Sequence, residues 1–347
     1  MTTDWLELAV HGLAHAHGVP PARGVLRQQP EDFRVVELPA VEPSGSGEHV
    51  WLNIRKRDNN TEHVATLLSR FAGVHPRGVG YAGLKDRHAV TEQWFSVQLP
   101  GRAEPQWQAL DSDTITVLRH ARHTRKLQRG ALRGNAFVLT VRAIAGDRAG
   151  LEQRLRRIDA AGVPNYFGGQ RFGAAGANLD TALRLFDNPR LRLSRNRRGL
   201  ALSAARALLF NRVLSRRVAA GCWDHALPGD AMQLAGTRSY FVADAIDDAL
   251  LARIAARDIQ PTGPLAGAGD SPVRGACLAL EQDELAAHAA IVQGLAAAGL
   301  QQERRALCLI AAGLSWHWPD DTTLILEFSL PAGSYATSVL RELVLEQ

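Results

Sequence analysis

The chain has 347 residues, with 40 Lys and Arg against 35 Asp and Glu, which gives a formal net charge of +5. Hydrophobic residues make up 46% of the sequence, so a disordered or low-complexity protein is excluded. No stretch approaches the ~20 apolar residues that span a bilayer, and the N-terminal segment lacks the pattern of a signal peptide. The sequence therefore predicts a cytoplasmic globular protein without membrane contact, long enough for two domains.

Strand and helix patterns alternate over the first 150 residues. Strand periodicity appears at 49–55, 94–98 and 136–143, and in the first of these Val50, Leu52 and Ile54 share one face. Residues 59–73 predict a helix that Asn59 or Asn60 caps and Gly73 ends. A second helix is predicted at 151–162. This portion is therefore expected to be α/β.

The character of the chain changes after residue 160. Residues 162–180 are rich in Gly, Asn and Arg, and a helix capped by Ser203 is predicted at 203–220. Glycines and prolines predict a loop region around 225–275. The remaining predictions are a helix at about 281–299, a strand at 322–330 and a last helix that begins within SYATSVLREL.

Positive charge is concentrated in two blocks that contain no acidic residue. Residues 114–146 hold seven Lys and Arg residues, and residues 188–223 hold nine arginines. The planar fork of arginine suits bidentate contact with phosphate and stacking on bases. The blocks predict a polyanion-binding surface, and two merely solvated faces are the alternative.

Motifs for cofactors and metals are weak or missing. Residues 78–83 match GxGxxG, but a helix precedes them and a strand follows, which is the reverse of the dinucleotide-binding order. The three cysteines, Cys222, Cys277 and Cys308, are far apart and form no CxxC pair. We therefore expect no cofactor, no metal site and no disulfide framework.

The most unusual stretch is YAGLKDRHAVTEQWFSV (81–97), in which Asp86 stands between Lys85 and Arg87. Flanking cations favour the ionised carboxylate. Such a carboxylate serves as a nucleophile, a charge stabiliser or a metal ligand. A surface loop with a local ion pair is the alternative interpretation.

Two further segments combine aromatic and polar residues. In KLQRGALRGNAFVLTV (126–141), Lys126 and Arg133 suit phosphate and Asn135 suits a base or sugar edge. A hairpin turn with a core phenylalanine would explain the same pattern. In PEDFRVVE (30–37), Phe33 precedes a strand and could equally be a core aromatic.

Taken together, these segments resemble the pseudouridine synthase D (TruD) family, bacterial enzymes that isomerise uridine 13 of tRNA. The resemblance extends over nearly the whole chain, without long insertions. Its segments, in the order of the family, are PEDFRVVE (30–37), GEHVWLNIRKRDNNT (47–61), YAGLKDRHAVTEQWFSV (81–97), KLQRGALRGNAF (126–137), GVPNYFGGQRFG (162–173), SAARALLFNRVLSRR (203–217), DIQPTGPL (258–265) and LPAGSYATSVLREL (330–343).

The resemblance implies an α/β fold of two domains. A catalytic domain with a central mixed, largely antiparallel sheet would comprise 1–159 and 306–347, and a family-specific α/β domain would be inserted at 160–305. It also implies a tRNA pseudouridine(13) synthase that acts in the D-arm region without a cofactor. Its partner would be tRNA, and no obligate protein partner is expected.

Residue by residue, the resemblance assigns catalysis to Asp86 and contacts with the uridine to Phe33, Asn135 and Phe328. Lys85, Lys126 and Arg133 are candidates for supporting roles. Contacts of Arg195, Arg197 and Arg198 with tRNA are inferred from charge and not from the resemblance.

Two other functions remain open from the residues. A uridine nucleosidase would need a second carboxylate ~5 Å from Asp86, and Glu92 is the nearest candidate in sequence. A non-catalytic RNA-binding protein or chaperone would use the same basic surface and would tolerate the loss of the Asp86 carboxylate.

Overall fold

The computed structural model describes residues 4–346, and these form two compact units. The sheet unit comprises Pro21–Leu151, Ala311–Ser334 and the described part of Val344–Gln347. The helix-rich unit comprises the described part of Met1–Pro20, Glu152–Ile310 and Tyr335–Leu343. The described part of Met1–Pro20, together with Tyr335–Leu343, belongs to the unit that holds most of 160–305. The predicted domain bounds stay a prediction. The assignment of catalysis to one domain stays a prediction.

Strands and helices alternate along the chain. The strands of the described residues are β1 (Ala22–Leu26), β2 (Phe33–Pro39), β3 (His49–Arg57), β4 (Val79–Tyr81), β5 (Val90–Gln98), β6 (Ile115–His123), β7 (Leu132–Gly146), β8 (Val163–Pro164), β9 (Asp230–Leu234), β10 (Tyr240–Ala243), β11 (Ile259–Leu265), β12 (Glu303–Ala306), β13 (Cys308–Leu309), β14 (Ala312–His317), β15 (Leu324–Pro331) and β16 (Val344–Glu346). The α-helices are α1 (Thr61–Phe71), α2 (Arg148–Ala161), α3 (Ala177–Asp187), α4 (Arg195–Ala219), α5 (Asp248–Ala255), α6 (Gly275–Ala286), α7 (Ala289–Ala297) and α8 (Ala336–Leu343). None of these helices is long and apolar enough to cross a membrane.

The sheet unit is built on one large mixed sheet. Its strand order is β14-β15-β7-β2-β5-β3-β6, with β4 beside β5 and β1 joining β7 to β16. Only the β2–β5 and β1–β16 pairs are parallel among the described strands. The predicted mixed, largely antiparallel sheet is confirmed, and the predicted strands near 49–55, 136–143 and 322–330 all belong to it.

The predicted alternation in β3 explains how α1 packs on this sheet. Val50, Leu52 and Ile54 are fully buried in one cluster with Val64 and Leu68 of α1. Each such side chain contributes roughly 1.5–3 kcal/mol when it leaves water. The helix ends just before Gly73, whose φ of 60° lies in the left-handed region that glycine adopts easily. This packing fixes the sheet on which the candidate site lies.

The helix-rich unit has α4 at its centre, and this helix is longer than predicted. It begins at Arg195, where the hydroxyl of Ser194 accepts a hydrogen bond from the Arg197 amide at 3.3 Å. The predicted cap, Ser203, lies inside the helix, and its hydroxyl accepts a hydrogen bond from Arg171 at 2.9 Å. The sequence 195–202 has little apolar periodicity and contains Gly199, which is why the pattern missed the first two turns.

Two other predictions in this unit are wrong. The region 225–275 is not a loop, because it forms β9, β10, α5 and β11, and β12 completes the antiparallel sheet β10-β9-β11-β12. The prolines of β11 suggested a loop. In the structure this segment is a strand, which pairs with β9 up to Pro261 and with β12 after it. The single helix predicted at 281–299 is two helices, α6 and α7, which separate at His288.

Candidate active site

The strand register places the three predicted uridine-contacting residues on one face of the sheet. Phe328 of β15 lies opposite Phe137 of β7, and Glu37 of β2 lies opposite Asn135 of β7. Phe33 precedes Glu37 by four residues on β2, so the two side chains emerge on the same side. Cross-strand partners share a face. Phe33, Asn135 and Phe328 therefore face the same side of three neighbouring strands.

Three phenylalanine rings form a continuous row on this face. Phe137 lies between the other two, with its ring centroid 6.2 Å from that of Phe33 and 5.5 Å from that of Phe328. The first pair is nearly perpendicular and the second is stacked, at interplanar angles of 75° and 27°. Phe33 and Phe328 are each only 3% exposed. The row is a rigid apolar wall, and stacking of a base on it stays a prediction.

Asn135 adds a polar group to this wall. Its buried Oδ1 atom accepts no hydrogen bond within the described residues. A buried acceptor without a donor costs roughly 1–3 kcal/mol, so this atom suits an N–H group from a ligand. The preceding Gly134 allows β15 to approach closely, because a Cβ atom there would lie 2.2 Å from the Leu330 oxygen.

Asp86 lies in the loop between β4 and β5, and Arg27 joins it to the aromatic wall. The Arg27 Nη2 atom is 3.9 Å from Oδ2 of Asp86, whose side chain is 25% exposed. The same guanidinium lies over the Phe33 ring, 4.0 Å from its centroid. Arg27 has a left-handed φ of 55°, which is uncommon for a residue with a side chain. The arginine thus contacts both the predicted catalytic carboxylate and a predicted uridine-contacting ring.

The cations next to Asp86 in sequence have other acids as neighbours. The Lys85 ammonium forms a buried ion pair with Glu37, with an Nζ–Oε2 distance of 2.8 Å. Arg87 lies 3.9 Å from Asp58. The sequence did not indicate that Lys85 and Arg87 lie next to other acids. It also did not indicate that Arg27 lies next to Asp86. The predicted supporting role of Lys85 at Asp86 stays a prediction.

A buried lysine holds the main chain of Asp86. Lys56 Nζ donates hydrogen bonds to the main-chain oxygens of Asn59 and Asp86, at 2.6 and 2.8 Å. Burial lowers the pKa of Lys56 to about 8, and the nearby Asp86 opposes this shift. Nothing in the sequence indicates that Lys56 belongs to the site, since a lysine in a strand usually points to solvent.

Two more buried side chains fix the loop on either side of Leu84. The Thr61 hydroxyl accepts a hydrogen bond from the Lys85 amide at 3.0 Å, and the Gln93 amide donates to the Gly83 oxygen at 3.2 Å. Thr61 also donates to Gln93 at 2.9 Å, so the two supports are connected. The loop that carries Asp86 is therefore held by a fixed hydrogen-bond network.

Comparison with known proteins identifies the family. The model of the family described as tRNA pseudouridine synthase D (TruD) matches residues 12–183 and 181–343. The chain belongs to the tRNA pseudouridine synthase D family. The tRNA pseudouridine synthase D of Methylococcus capsulatus is 53% identical over 332 residues, covering 96% of this chain and 94% of that protein. The tRNA pseudouridine synthase D of Nitrosococcus oceani is also 53% identical, over 337 residues, with the same coverage of 96% and 94%.

A solved structure shows the fold of the tRNA pseudouridine synthase D family. A protein from Methanosarcina mazei that is assigned to tRNA pseudouridine synthase D matches with a TM-score of 0.74, over 97% of both chains and at 22% identity. The family and the fold class that the motifs predicted are confirmed, and so is the enzyme class, a pseudouridine synthase. The roles of individual residues stay predictions.

Other carboxylates near Asp86 in this family member are engaged elsewhere. Glu92 pairs with Arg55, with an Nη2–Oε1 distance of 2.9 Å. Asp58 lies 2.8 Å from the His88 ring nitrogen. Within the described residues, no three His, Cys, Asp or Glu side chains are arranged to hold a metal ion, and the cysteines are buried and free.

Much of the charge in the two basic blocks is neutralised by acids from other parts of the chain. The ion pairs are Arg119–Glu42, Arg122–Glu104, Arg142–Asp32, Arg206–Glu303, Arg212–Glu284 and Arg217–Asp230. The predicted polyanion-binding surface stays a prediction, and the unpaired basic residues of the described chain that could form it lie in smaller patches than the two sequence blocks. A segment that contains no acidic residue can still form ion pairs with acids from other segments of the folded chain.

The remaining predicted RNA-contacting residues lie in these patches. Arg195 and Arg197 are exposed at the start of α4 and Arg198 is half-buried; none pairs with an acid within the described residues. In the sheet unit, Arg133 is exposed and its Nε donates to the Pro39 oxygen at 3.1 Å. Lys126 is half-buried and donates to the Arg77 oxygen at 2.5 Å.

Proposed function

We propose that this protein isomerises uridine 13 in the D-arm region of tRNA to pseudouridine, with Asp86 as the catalytic carboxylate. The observation that carries the proposal is the position of Arg27, which lies 3.9 Å from the Asp86 carboxylate and stacks on Phe33. This arrangement puts the Asp86 carboxylate next to an aromatic wall that suits a uracil ring. The family assignment supplies the reaction class.

The reaction breaks the N1–C1′ bond of uridine and joins C5 of the same uracil to C1′. Product and substrate are isomers, so no group is exchanged and no electrons are gained or lost. A carboxylate can attack C1′, add to C6 of the base or remove a proton from C2′. All three routes need a carboxylate beside the ribose, and we assign that role to Asp86, which lies 3.9 Å from the Arg27 guanidinium.

A detached uracil must be retained while it turns. Phe33, Phe137 and Phe328 are almost fully buried, so we propose that the uracil ring contacts the accessible edge of this row. Aromatic contacts of this kind hold bases regardless of their orientation about the ring normal. The buried Oδ1 of Asn135 is available to accept a hydrogen bond from a uracil N–H.

The target uridine must also leave its stack before a side chain reaches C1′, at a cost of a few kcal/mol. Contacts with phosphates offset such a cost. Arg195, Arg197 and Arg198 are suited to this task because they carry positive charge at a surface without paired acids within the described residues. We place the protein in the cytoplasm, with tRNA as its partner.

The alternatives predict different products. A uridine nucleosidase would use a second carboxylate as an acid, but Glu92 is held by Arg55. A non-catalytic RNA-binding protein would leave the nucleotide unchanged.

A map of pseudouridine at nucleotide resolution tests the proposal. Unmodified tRNA transcripts would be incubated with the purified protein and sequenced after a chemical treatment specific for pseudouridine. We expect pseudouridine at position 13. Release of free uracil would indicate a nucleosidase, an unmodified transcript that is nevertheless bound would indicate a binding protein, and pseudouridine elsewhere would refute the assigned position.

A further inference from the structure

Lys56 is a charged side chain inside the sheet unit with no exposed surface. It lies on β3 and is 0% exposed. Its Nζ atom donates to main-chain oxygens of two loops, to Asn59 at 2.6 Å and to Asp86 at 2.8 Å. A buried ammonium is costly unless hydrogen bonds satisfy it, so its retention calls for a reason other than packing.

The charged groups around Lys56 come from the two loops and not from the neighbouring strands. Asp86 and Asp58 favour its ammonium form, and Lys85 disfavours it. Lys85 is itself neutralised by Glu37 at 2.8 Å. The cross-strand neighbours of Lys56 are uncharged, namely Thr91 on β5 and Ile115 on β6. Lys56 is thus a cation directly beneath the Asp86 loop.

We propose that Lys56 is a positioning residue for the reaction, because its ammonium holds the main-chain oxygen of Asp86 and thereby fixes the direction of the carboxylate. The inference rests on the proposed catalytic role of Asp86. Thr61 and Gln93 form hydrogen bonds to neighbouring residues of the loop, and Lys56 forms one to Asp86 itself. The turnover of bound tRNA therefore depends on the proton of Lys56, and the affinity for tRNA does not.

The burial of Lys56 sets the pH range in which this dependence appears. Burial lowers the pKa of Lys56 to about 8. A charge-assisted hydrogen bond is roughly twice as strong as a neutral one, so the hold on Asp86 weakens as pH rises through about 8. Loss of the proton also removes a positive charge beside the carboxylate. The rate of the chemical step should therefore fall on the alkaline side.

Stability should change in the opposite direction. An unfolded lysine keeps its proton up to a pKa of about 10.4, whereas the folded protein has released it above about 8. Between these values the unfolded chain binds more protons than the folded one, so the contribution of Lys56 makes the free energy of unfolding rise with pH. A loss of activity in this window would therefore not reflect unfolding through Lys56.

The test is the single-turnover rate at saturating tRNA between about pH 7 and pH 9, for wild type, Lys56→Gln and Arg55→Gln. Arg55 is the adjacent, half-exposed cation of β3 and serves as the matched control. We expect the wild-type rate to fall by about tenfold, the ratio that corresponds to 1.36 kcal/mol. Lys56→Gln should be about tenfold slower than wild type at pH 7, independent of pH, and unchanged in tRNA affinity. Arg55→Gln should follow the wild type.

Three outcomes would overturn the inference. They are a flat wild-type profile, an alkaline fall that Lys56→Gln shares, and a wild-type rate for Lys56→Gln at pH 7. The first outcome concerns only the wild type, so it remains decisive even if Lys56→Gln fails to fold. Asp86→Asn, measured in parallel, separates this inference from the proposed function. If Asp86→Asn is inactive while the Lys56 results fail, only the positioning role is wrong, and if Asp86→Asn is active, the proposed catalytic residue is wrong as well.

Discussion

Arg27 contacts both the predicted catalytic carboxylate and the aromatic wall. It directly follows β1, and its backbone conformation is one that few arginines adopt. Its guanidinium stacks on Phe33 and lies 3.9 Å from the Asp86 carboxylate. This distance is too long for a bidentate hydrogen bond, so we expect the positive charge of Arg27 to contribute more to the reaction than the planar shape of its guanidinium. An arginine in this position places a positive charge beside the Asp86 carboxylate and lies over the Phe33 ring.

Replacement of Arg27 tests this role. We expect Arg27→Met to lower kcat by about tenfold or more, because the Asp86 carboxylate loses a guanidinium that lies 3.9 Å away. A tenfold change in rate corresponds to about 1.4 kcal/mol. Stability should fall by only about 1 kcal/mol, since the arginine is partly exposed. The measurements are multiple-turnover kinetics on tRNA and a urea titration.

Arg27→Lys is the matched control for this prediction, because it keeps the charge and changes the shape. We expect it to retain most of the wild-type kcat. If Arg27→Lys were as slow as Arg27→Met, the planar stacking would matter and the charge would not. Wild-type kinetics in Arg27→Met would remove Arg27 from the site.

The sequence could indicate the residue types at this site but not their pairing. Phe33, Asn135 and Phe328 lie in motifs, and strand periodicity then brings them to one face. The cations next to Asp86 in sequence were expected to be its partners, yet Lys85 pairs with Glu37. Which cation reaches a carboxylate depends on loop conformation, and the left-handed φ of Arg27 leaves no signal in the sequence.

At the scale of elements, α4 shows how a basic block can be structural. Arg217 is fully buried and forms a 2.7 Å ion pair with Asp230, and it also donates to the main-chain oxygens of Cys222 and His225. Cys277 extends this network by donating to Asp230 at 3.3 Å, and burial raises the pKa of its thiol. The network joins α4 to β9 and α6 within the helix-rich unit.

Removal of one partner should therefore be costly. We expect Arg217→Met to lower the free energy of unfolding by about 3–5 kcal/mol, because it leaves the Asp230 carboxylate buried without its cation. Arg216→Met is the control, since Arg216 is 56% exposed and lies 3.7 Å from Asp283. Its effect should stay within about 0.5 kcal/mol. Equal urea midpoints for the two variants would contradict this account of α4.

Periodicity predicted the elements of the sheet unit better than those of the helix-rich unit. The strand β15 alternates between buried and more exposed residues along its whole length, and β3 does so from Leu52 onward. Such alternation is visible in sequence. In β11, Pro261, Gly263 and Pro264 suggest a loop, although tertiary pairing with β9 and β12 makes the segment a strand. Pairing between distant segments decides such cases, and a single sequence does not record it.

At the scale of the whole molecule, many basic side chains form ion pairs with acids, and a few surface patches keep an excess of positive charge. The net charge is +5, and arginines of both basic blocks form ion pairs with acids from distant segments. The excess positive charge is therefore confined to small patches. The start of α4, with Arg195, Arg197 and Arg198, is the patch where we expect phosphate contacts. A surface of this kind makes affinity depend on salt.

Replacement of these three arginines with glutamine should weaken tRNA binding more than the turnover of bound tRNA. Each lost phosphate contact should flatten the slope of log K against log salt by about 0.7–0.9. A variant with Arg156, Arg253 and Arg274 replaced is the control, because it removes the same charge from ion-paired positions of the same unit. If both variants had the same slope, net charge and not this patch would govern binding.

The most direct test of the account is the single-turnover formation of pseudouridine in tRNA by Asp86→Asn, compared with Glu92→Gln. Both changes remove one carboxylate from the segment 81–97, but only Asp86 lies beside Arg27 and the aromatic wall. We predict that Asp86→Asn lowers the rate by at least about 10³-fold, with tRNA affinity unchanged or higher, and that Glu92→Gln remains close to wild type. Pseudouridine formation by Asp86→Asn at the wild-type rate would contradict the account.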